Sequence, residues 1–410
     1  MRFPTWVEID LDVFEQNLAR IQQAVDPARV LLVVKADAYG HGAARLALAA
    51  EPRVAMFGVA TLHEGIELRA AGVTRPILIL SPTLPVEAEE ILDYGLLSSV
   101  DTLEFAQRLS EAAARRGSPA GFHIEVDTGM GRTGVSEAGA PEFVARVAAL
   151  PGLRLDGLYT HFPESDAPDL GGSREQLRRF LQLVERLRAA GVAVPRVHAA
   201  NSGAAVRLPE ARLDLVRTGI LAYGLMPRTE LEPFPGIRPV MSMKSRLVQV
   251  REFPAGATVS YGRTFTCKRP SRIGVVPAGY GHGLSWLLSN HGTLLVRGRR
   301  VPIVGTVTMD LTMVDLTDVP GAQVYDEVVI FGSQGGETLG AAELAAGSRT
   351  LVYEVLCTLG KRVVRVYRRG AEEDQVTTLV GERSVVTPPG GEGVRVEYSR
   401  VPRGGGVRFR

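Results

Sequence analysis

The stretch from Val33 to Gly42 reads Val-Val-Lys-Ala-Asp-Ala-Tyr-Gly-His-Gly and places Lys35 where an apolar, strand-like run ends. A lysine in such a turn can simply be a solvated charge. However, the chain has 47 basic residues of which only Lys35, Lys244, Lys268 and Lys361 are lysines, so arginine normally supplies its positive charge. A retained lysine indicates a need for an amine, because a desolvated lysine can lose its proton and form a Schiff base, whereas arginine stays protonated.

The segments around Lys35 predict the framework that positions it. A helical pattern covers residues 10 to 24, and further helical patterns cover 62 to 71, 103 to 116 and 174 to 190. Eight short β-like runs follow the first helix, at residues 30–34, 56–60, 76–80, 96–100, 121–126, 155–159, 196–200 and 213–216. This alternation predicts parallel strands joined by crossover helices, hence an α/β fold with a closed (β/α)8 TIM-like barrel. An open doubly wound sheet is the alternative.

The pattern changes beyond Pro235 to short alternating segments punctuated by Gly and Pro, with helical patterns only at 339–346 and 353–360. We therefore expect a barrel domain over residues 1–236, a mainly β C-terminal domain over 237–370 and a tail over 371–410. The tail is rich in glycine and has no long apolar stretch, so we expect it to be loosely ordered, with strand pieces at 376–380 and 394–398.

Composition excludes several classes of function. The formal net charge of +2 gives no basic field for nucleic acid. Cys267 and Cys357 form neither a disulfide framework nor a metal pattern, and the seven histidines show no paired ligand spacing, so we expect no metal. No signal-peptide pattern precedes the first helix and no apolar run approaches the roughly 20 residues of a membrane span. We expect a cytoplasmic protein that binds neither membrane nor nucleic acid.

Polar residues stand at the ends of the predicted strands, where the loops of a (β/α)8 barrel carry the chemistry. They are Lys35 with Tyr39, Asp127 to Arg132, Tyr159-Thr160-His161, Asn201-Ser202-Gly203 and Arg217 to Ile220. The loops after strands seven and eight commonly bind phosphate, and the Ser202 hydroxyl with the N–H groups near Gly203, Gly219 and Ile220 could supply the donors. An amine together with a phosphate site suggests pyridoxal phosphate as the cofactor.

Each of these residues also has a purely structural interpretation. His161 lies between aromatic residues and could be a packed core histidine. Arg217 could form a salt bridge between domains, and Ser202 could cap the helix that begins near Gly203. Only their joint placement at strand ends favours a functional site.

The stretch around Lys35 resembles the cofactor-lysine signature of the alanine racemases. Further motifs resemble that family's motifs in the family's order, over residues 3 to 369: Asp127 to Arg132, His161-Phe162, Asn201-Ser202, Arg217 to Ile220, Ser260-Tyr261-Gly262-Arg263, Met309-Asp310 and Tyr353-Glu354. The resemblance implies a homodimer in which the β domain of one subunit completes the barrel site of the other.

The resemblance also implies the role of each site residue. Lys35 would hold pyridoxal 5'-phosphate as an aldimine and act as one base, and Tyr261 of the other subunit would be the base on the opposite face. Arg217 would face the pyridine nitrogen, and His161 would link Tyr261 to Arg217. Arg132 would touch the phenolic oxygen, and Met309, with Asp310 beside it, would offer its N–H to the substrate carboxylate. The phosphate would be held by Tyr39, Ser202, Gly219, Ile220 and Tyr353.

Inversion of a stereocentre requires two bases, because the proton leaves on one face and arrives on the other. The pKa of tyrosine is normally about 10, and an imidazole coupled to a guanidinium could lower it. An arginine opposite the ring nitrogen leaves that nitrogen unprotonated, which weakens the electron sink and limits transamination.

The sequence departs from the family pattern at a few positions, which leave the substrate range open. Glu125 replaces a lysine that is often carbamylated and could pair directly with Arg132, while His282, Thr308 and Val364 replace other usual residues. We expect an alanine racemase that supplies D-alanine for peptidoglycan. A serine or broad-specificity racemase, a decarboxylase of the same fold and a non-catalytic pyridoxal phosphate carrier are the alternatives.

Overall fold

A computed structural model describes residues 3–228 and 230–379, together with the backbone of residues 381–386 and 395–399. The chain divides into two units. The barrel unit runs from Val13 to Arg238, and the second unit combines the residues up to Asp12 with those from Pro239 onward.

The barrel unit contains a ring of eight parallel strands. The chain opens with β1 (Thr5–Asp10), which belongs to the second unit. The strands that follow are β2 (Arg29–Val33), β3 (Met56–Val59), β4 (Ile77–Pro82), β5 (Leu97–Ser99), β6 (Ala120–Asp127), the short β7 (Val135–Ser136), β8 (Leu153–Tyr159), β9 (Val197–His198) and β10 (Leu215–Thr218). Their order is β10-β2-β3-β4-β5-β6-β8-β9, with β7 paired to β6.

Backbone hydrogen bonds between the last two strand segments close the ring. The N–H of Asp214 donates to the carbonyl of Val197 (3.0 Å), and that of Arg217 donates to Ala200 (2.9 Å). The predicted (β/α)8 barrel is therefore confirmed. None of the helices in the described part of the chain is long and apolar enough to cross a membrane.

Helices connect the barrel strands, as the sequence pattern predicted. They are α1 (Leu11–Val25), α2 (Lys35–Tyr39), α3 (Ala43–Ala50), α4 (Leu62–Ala70), α5 (Ala88–Asp93), α6 (Leu103–Arg116), α7 (Ala140–Ala148), α8 (Gly171–Ala189) and α9 (Ser202–Arg207). Helix α6 shows why the pattern sufficed: Thr102 caps it by accepting from the N–H of Phe105, and Gly117 ends it in a left-handed conformation.

The second unit is mainly β, as expected. Its strands are β11 (Met241–Arg246), β12 (Gln249–Phe253), β13 (Thr258–Val259), β14 (Phe265–Thr266), β15 (Ser271–Val276), β16 (Thr293–Val296), β17 (Arg299–Pro302), β18 (Thr312–Asp315), β19 (Glu327–Gln334), β20 (Glu337–Leu339), β21 (Val364–Arg369), β22 (Glu372–Thr378), β23 (Gly381–Val386) and β24 (Arg395–Ser399). Helices α10 (Ala341–Gly347) and α11 (Val352–Cys357) accompany them. The largest sheet has the order β17-β16-β19-β11-β1-β21-β22-β23-β24, with β20 paired to β19.

Strand β1 shows that the expected start of the barrel domain at residue 1 was wrong. It lies between two strands of the second unit, antiparallel to β11 and parallel to β21. Its backbone hydrogen bonds are therefore satisfied by residues far along the chain, which a local pattern cannot reveal.

The tail also differs from the expectation of loose order, as far as it is described. Strand β22 pairs with β21, and β23 and β24 extend the same sheet. Val376 is fully buried against Trp6 and Val366, so one apolar side chain with a hydrogen-bonded ladder anchors β22 without a long apolar stretch. Residues 380 and 394 of the expected strand pieces lie outside the described residues.

Candidate active site

Lys35 lies just beyond β2, at the carboxyl end of the barrel, and is the first residue of α2, whose backbone forms a left-handed turn. Residues Ala36, Asp37, Ala38 and Tyr39 have φ values between 52° and 55°. Left-handed backbone costs about 1–2 kcal/mol for each residue that has a side chain. The turn must therefore be held in place by its surroundings.

Buried aromatic residues hold this turn. The ring Nδ1 of His41 lies 3.0 Å from the carbonyl oxygens of both Ala38 and Tyr39, and so acts as their shared donor. The His41 ring packs on Tyr223 at 4.7 Å, and the Tyr223 hydroxyl donates to the carbonyl of Val33 (2.8 Å). Tyr223 therefore fixes both the end of β2 and the turn that follows it.

Glu64 is a further support that the sequence analysis missed. Its carboxylate accepts from the N–H groups of Ala36 (2.7 Å) and Ala60 (2.7 Å), so it ties the residues after β2 to those after β3. Thr61 and Glu64 form a capping box at the start of α4. The Thr-x-x-Glu spacing was the signal that could have found it.

The residues predicted to hold phosphate meet in the barrel unit. The N–H of Gly219 donates to the Ser202 hydroxyl (2.9 Å), which leaves that hydroxyl's own hydrogen free to donate outward. A Cβ atom at residue 219 would clash with the hydroxyl of Tyr39, so glycine is required there. The N–H groups of Gly203 and Ile220 have no acceptor among the described residues. The expected Gly219 donor is the exception, because Ser202 already uses it.

Helix α9 is capped by Asn201, whose side chain accepts from the N–H of Ala204 (3.1 Å). Ser202 is therefore not the capping residue, and the structural interpretation of its hydroxyl does not hold.

Arg217 on β10 is buried inside the barrel, with 4% of its surface exposed. Its Nη1 donates to two atoms of His198, the ring Nδ1 (2.9 Å) and the carbonyl oxygen. Its Nη2 donates to the carbonyls of Thr160 and Ala199 and lies 3.2 Å from Nδ1 of His161. A guanidinium has five N–H groups, and these five contacts share the four on Nη1 and Nη2, so that three acceptors share the two N–H groups of Nη2. The fifth, on Nε, has no acceptor within the described part of the chain. The acceptors of Arg217 in the described residues are carbonyl oxygens and imidazole nitrogens and include no carboxylate, so the salt-bridge interpretation does not hold either.

Arg217 fixes the protonation of the two histidines beside it. Because a guanidinium only donates, Nδ1 of His161 and Nδ1 of His198 must both be unprotonated. Burial, followed by the charge of Arg217, holds the pKa of each imidazole well below its ordinary value. Each ring therefore carries a single proton on Nε2, and His161 can donate a hydrogen bond from that atom.

Arg217 itself remains charged at neutral pH. Burial lowers its pKa to about 10, while Tyr159 and Glu125 oppose this change. The guanidinium lies over the Tyr159 ring at 5.1 Å, and that ring stacks on His198. Burial raises the pKa of Tyr159 far above its ordinary value, so this tyrosine stays neutral and packs against the cation.

The loop that carries Arg132 is shaped by Asp127. Burial acts against ionisation of Asp127, but N–H donors from Gly129, Gly131 and Met130 lower its pKa overall. The expected pair between Glu125 and Arg132 is absent, since Arg132 is exposed and has no ion pair among the described residues.

Buried Glu125 instead accepts from the Thr133 hydroxyl (2.7 Å). The backbone of Gly134, with a φ of 94°, packs against Glu125, where a Cβ would lie 2.8 Å from its carbonyl oxygen. This close approach fixes the course of the loop beside the carboxylate and was not visible in the sequence.

Tyr261 lies in the second unit, in the turn Tyr261–Arg263, and is 75% exposed. Two side-chain hydroxyls brace its turn. The hydroxyl of Ser260, a residue with a φ of 67°, donates to the carbonyl of Thr306 (2.7 Å), and the hydroxyl of Thr306 donates to the carbonyl of Tyr261 (3.0 Å). A Cβ at Gly305 would lie 2.6 Å from Cβ of Ser260. The exposed phenol of Tyr261 therefore projects from a tightly packed turn.

The remaining predicted residues also lie in the second unit. Met309 is 51% exposed, its carbonyl accepts from the N–H of Gly281 (2.9 Å), and its own N–H has no acceptor among the described residues. Asp310 pairs with Arg362 at 2.5 Å. Burial, followed by Arg362, lowers the pKa of His282 against the effect of Asp310. Tyr353 lies in α11.

The site residues therefore form two groups, one in each unit. The barrel unit contains Lys35, Tyr39, Glu125, Arg132, His161, Ser202, Arg217, Gly219 and Ile220. The second unit contains Tyr261, Met309, Asp310 and Tyr353. No group of three or more potential metal ligands occurs in the described residues.

Comparisons with known proteins match both units. A family model for the alanine racemase N-terminal domain matches residues 9–227, and one for the alanine racemase C-terminal domain matches residues 240–367. An alanine racemase of Desulfosudis oleivorans is 44% identical over 382 residues, covering 90% of this chain and 98% of that protein.

Solved structures agree. An alanine racemase of Clostridium difficile 630 superposes with a TM-score of 0.87 at 32% identity, covering 92% of this chain and 99% of that one. The alanine racemase of Bacillus anthracis with bound L-Ala-P gives a TM-score of 0.86 at 33% identity, covering 92% and 98%.

Proposed function

The chain belongs to the alanine racemase family and interconverts L-alanine and D-alanine; we propose that it does so with pyridoxal 5'-phosphate held on Lys35 and with Lys35 and Tyr261 as its two bases. The observation that carries this proposal is Arg217, a buried cation whose only unused donor in the described residues is Nε–H. That geometry suits a ring nitrogen that accepts a hydrogen bond.

The barrel residues fit this cofactor. Lys35 offers an amine at a strand end, and the Ser202 hydroxyl with the N–H groups of Gly203 and Ile220 offers unused donors for a phosphate beside Tyr39. When bound, the cofactor supplies the electron-withdrawing ring that makes the α-proton of the amino acid removable. Arg132 would contact its phenolic oxygen.

Arg217 sets how strongly that ring withdraws electrons. With a pKa of about 10 it keeps its proton at neutral pH. It would therefore donate a hydrogen bond to the ring nitrogen without protonating it. A neutral ring nitrogen is a weaker electron sink, and this limits transamination in favour of returning the proton to the same carbon.

Two bases on opposite faces account for inversion. Lys35 takes or returns the proton on its own side of the cofactor, and Tyr261 does so on the other. Nε2–H of His161 is available to the Tyr261 oxygen, which couples the phenol to Arg217 and stabilises its ionised form.

A homodimer brings these groups together in this proposal. Tyr261 and Met309 are both largely exposed on the second unit, so they are free to enter a partner's barrel. There the N–H of Met309 would bind the substrate carboxylate, with Asp310 beside it and Tyr353 reaching the phosphate. The product D-alanine would serve peptidoglycan precursors in the cytoplasm.

Substrate range separates the near alternatives. A serine or broad-specificity racemase would convert several L-amino acids, a decarboxylase would release CO2, and a carrier would bind cofactor without turnover. A panel of L-amino acids scored for D-enantiomer and CO2 distinguishes all four, and alanine should give the largest D-enantiomer yield.

Borohydride reduction followed by peptide mapping tests the anchor. The cofactor should be fixed to Lys35, and Lys35→Ala should lose the bound cofactor's absorbance. Lys268→Ala is the matched control, since Lys268 is an exposed lysine of the second unit. Label recovered on Lys244, Lys268 or Lys361 would overturn the assignment.

A further inference from the structure

A second buried histidine stands behind the contact between Arg217 and His198. His123 on β6 is fully buried, and its Nδ1 lies 2.9 Å from Nε2 of His198. Gly157 on β8 makes room for the ring, because a Cβ there would lie 2.5 Å from two of its atoms. A glycine inside a strand often marks such a close approach.

The hydrogen bonds through these groups run in one direction. Arg217 donates to Nδ1 of His198, so the His198 proton is on Nε2 and is donated to Nδ1 of His123. Burial lowers the pKa of His123 to about 3, with Asp156 opposing and Arg196 and Arg217 adding to the effect. His123 is therefore neutral, with its single proton on its own Nε2.

That last proton has no partner. Nε2 of His123 is buried and makes no hydrogen bond among the described residues. An apolar side chain would fill the same volume without leaving a buried donor unpaired, so packing alone does not explain a histidine here. The acceptor on Nδ1 is what an apolar residue would lack.

We propose that His123 is a positioning residue for Arg217: it accepts the Nε2 proton of His198 and so holds His198 in the tautomer and tilt that keep the guanidinium's Nη groups engaged and Nε–H available. This rests on the proposed function, because it is the cofactor's ring nitrogen that Nε–H would contact. His123 touches neither substrate nor cofactor and acts through His198 and Arg217.

Three variants distinguish the effect of losing the Nδ1 acceptor of His123 from the effect of losing buried volume. His123→Leu removes the acceptor and keeps an apolar ring-sized filler, whereas His123→Asn keeps an acceptor close to the position of Nδ1. Ile124→Val is the matched control, since it removes buried volume from the next residue of β6 without touching the chain of hydrogen bonds.

The first measurement is the tautomer of His198 in the full-length, cofactor-loaded protein. With only seven histidines, ¹⁵N-histidine spectra can be assigned by substitution. We expect neutral His198 protonated on Nε2 in wild type, His123→Asn and Ile124→Val, and a displaced Nε2–H signal in His123→Leu. His198 protonated on Nδ1 in wild type would overturn the proposal.

The second measurement is the ratio of pyruvate formed to D-alanine formed. Loss of Arg217 positioning should raise this ratio about tenfold in His123→Leu, since small misplacements at a reacting centre have large effects on rate. His123→Asn should restore it and Ile124→Val should leave it unchanged. A folded His123→Leu protein with the wild-type ratio and wild-type His198 signals would refute the role.

The outcomes also separate this inference from the proposed function. If wild type neither binds cofactor nor racemises alanine, the proposed function fails, and the tautomer of His198 still decides whether the hydrogen bonds run as argued. If His123→Leu does not fold, an altered ratio in His123→Asn without an altered His198 signal would count against the proposal.

Discussion

The cluster around Arg217 and the turn around Tyr261 present polar side chains in opposite ways. Arg217 is 4% exposed and its side chain donates hydrogen bonds to the barrel, whereas Tyr261 is 75% exposed and its backbone carbonyl accepts from the Thr306 hydroxyl. Burial has already shifted the pKa of Arg217 and of the histidines beside it. The groups around Arg217 are thus arranged within one chain, whereas the proposed role of Tyr261 as a base involves a second subunit.

Replacing Tyr261 should have the largest effect on activity. Tyr261→Phe keeps the ring and removes the ionisable oxygen, so racemisation should fall by about 10²–10⁴-fold, the usual contribution of a general base. Exchange of the α-proton with deuterated solvent should be lost for L-alanine and persist in part for D-alanine, for which Lys35 is the proposed base. Tyr325→Phe is the matched control, because Tyr325 is a comparably exposed tyrosine (73%) of the same unit.

Mixing subunits tests where the phenol acts. Inactive Lys35→Ala and Tyr261→Phe proteins should regain activity when mixed, because a hybrid of the proposed dimer would have one intact site. If subunits exchange without any recovery, Tyr261 serves its own chain's site or lies outside the chemistry.

Gly219→Ala should disturb the predicted phosphate site in the barrel unit and leave the turn that carries Tyr261 unchanged. The added Cβ would clash with the Tyr39 hydroxyl, so we expect cofactor affinity to fall about tenfold and unfolding free energy to fall by about 1–3 kcal/mol. Cofactor titration and urea unfolding measure the two effects. Gly340→Ala is the control, since its Cβ would meet no atom closer than 4.0 Å; equal losses in both variants would contradict the clash.

Glu125→Gln should have a smaller effect on catalysis. It removes a buried negative charge that acts on Arg217 and Tyr159, so we expect kcat to fall by up to about tenfold, as for loss of a supporting polar group around a functional site. Thr133→Val is the comparison, because it removes the hydrogen bond and keeps the charge. Wild-type activity should not respond to bicarbonate, and unchanged turnover in Glu125→Gln would reject the role.

Lowering the pH should lower the free energy of unfolding through the buried histidines of the barrel unit. The pKa values of His123, His161 and His198 are depressed in the folded state, so their contribution is complete above the unfolded value of about 6.5 and is lost as pH falls. Each such histidine should add about 1.4 kcal/mol of lost stability per pH unit, for His123 until about pH 3. Urea unfolding at several pH values between 7 and 5 should show a smaller loss of unfolding free energy per pH unit for His123→Leu than for wild type. The loss should be unchanged for Ile124→Val, which removes no titratable group.

The sequence predicted those features that local pattern determines. Helix α6 has the predicted bounds, and Lys35 follows a strand as expected, because apolar periodicity and caps are short-range signals. The joint placement of Ser202, Gly219 and Tyr39 followed from the rule that barrel strands share one functional end.

What the sequence could not predict depends on pairing between distant residues. The link from His123 to His198 crosses 75 positions, and the partner of Glu125 was decided by the close approach of Gly134. Neither contact has a periodic signature. The unit to which β1 belongs was missed for the same reason.

The place of β1 also sets an order of events during synthesis. Trp6 pairs with Val364 on one side and with Lys244 on the other, so both neighbours of this strand are made long after it. At about 5–20 residues per second, the ribosome needs roughly 20–70 seconds to make the segment between Trp6 and Val364. For that interval the edge of β1 that pairs with β21 must remain without its partner strand, whereas the opposite edge can pair with β11 as soon as Lys244 and its neighbours are made.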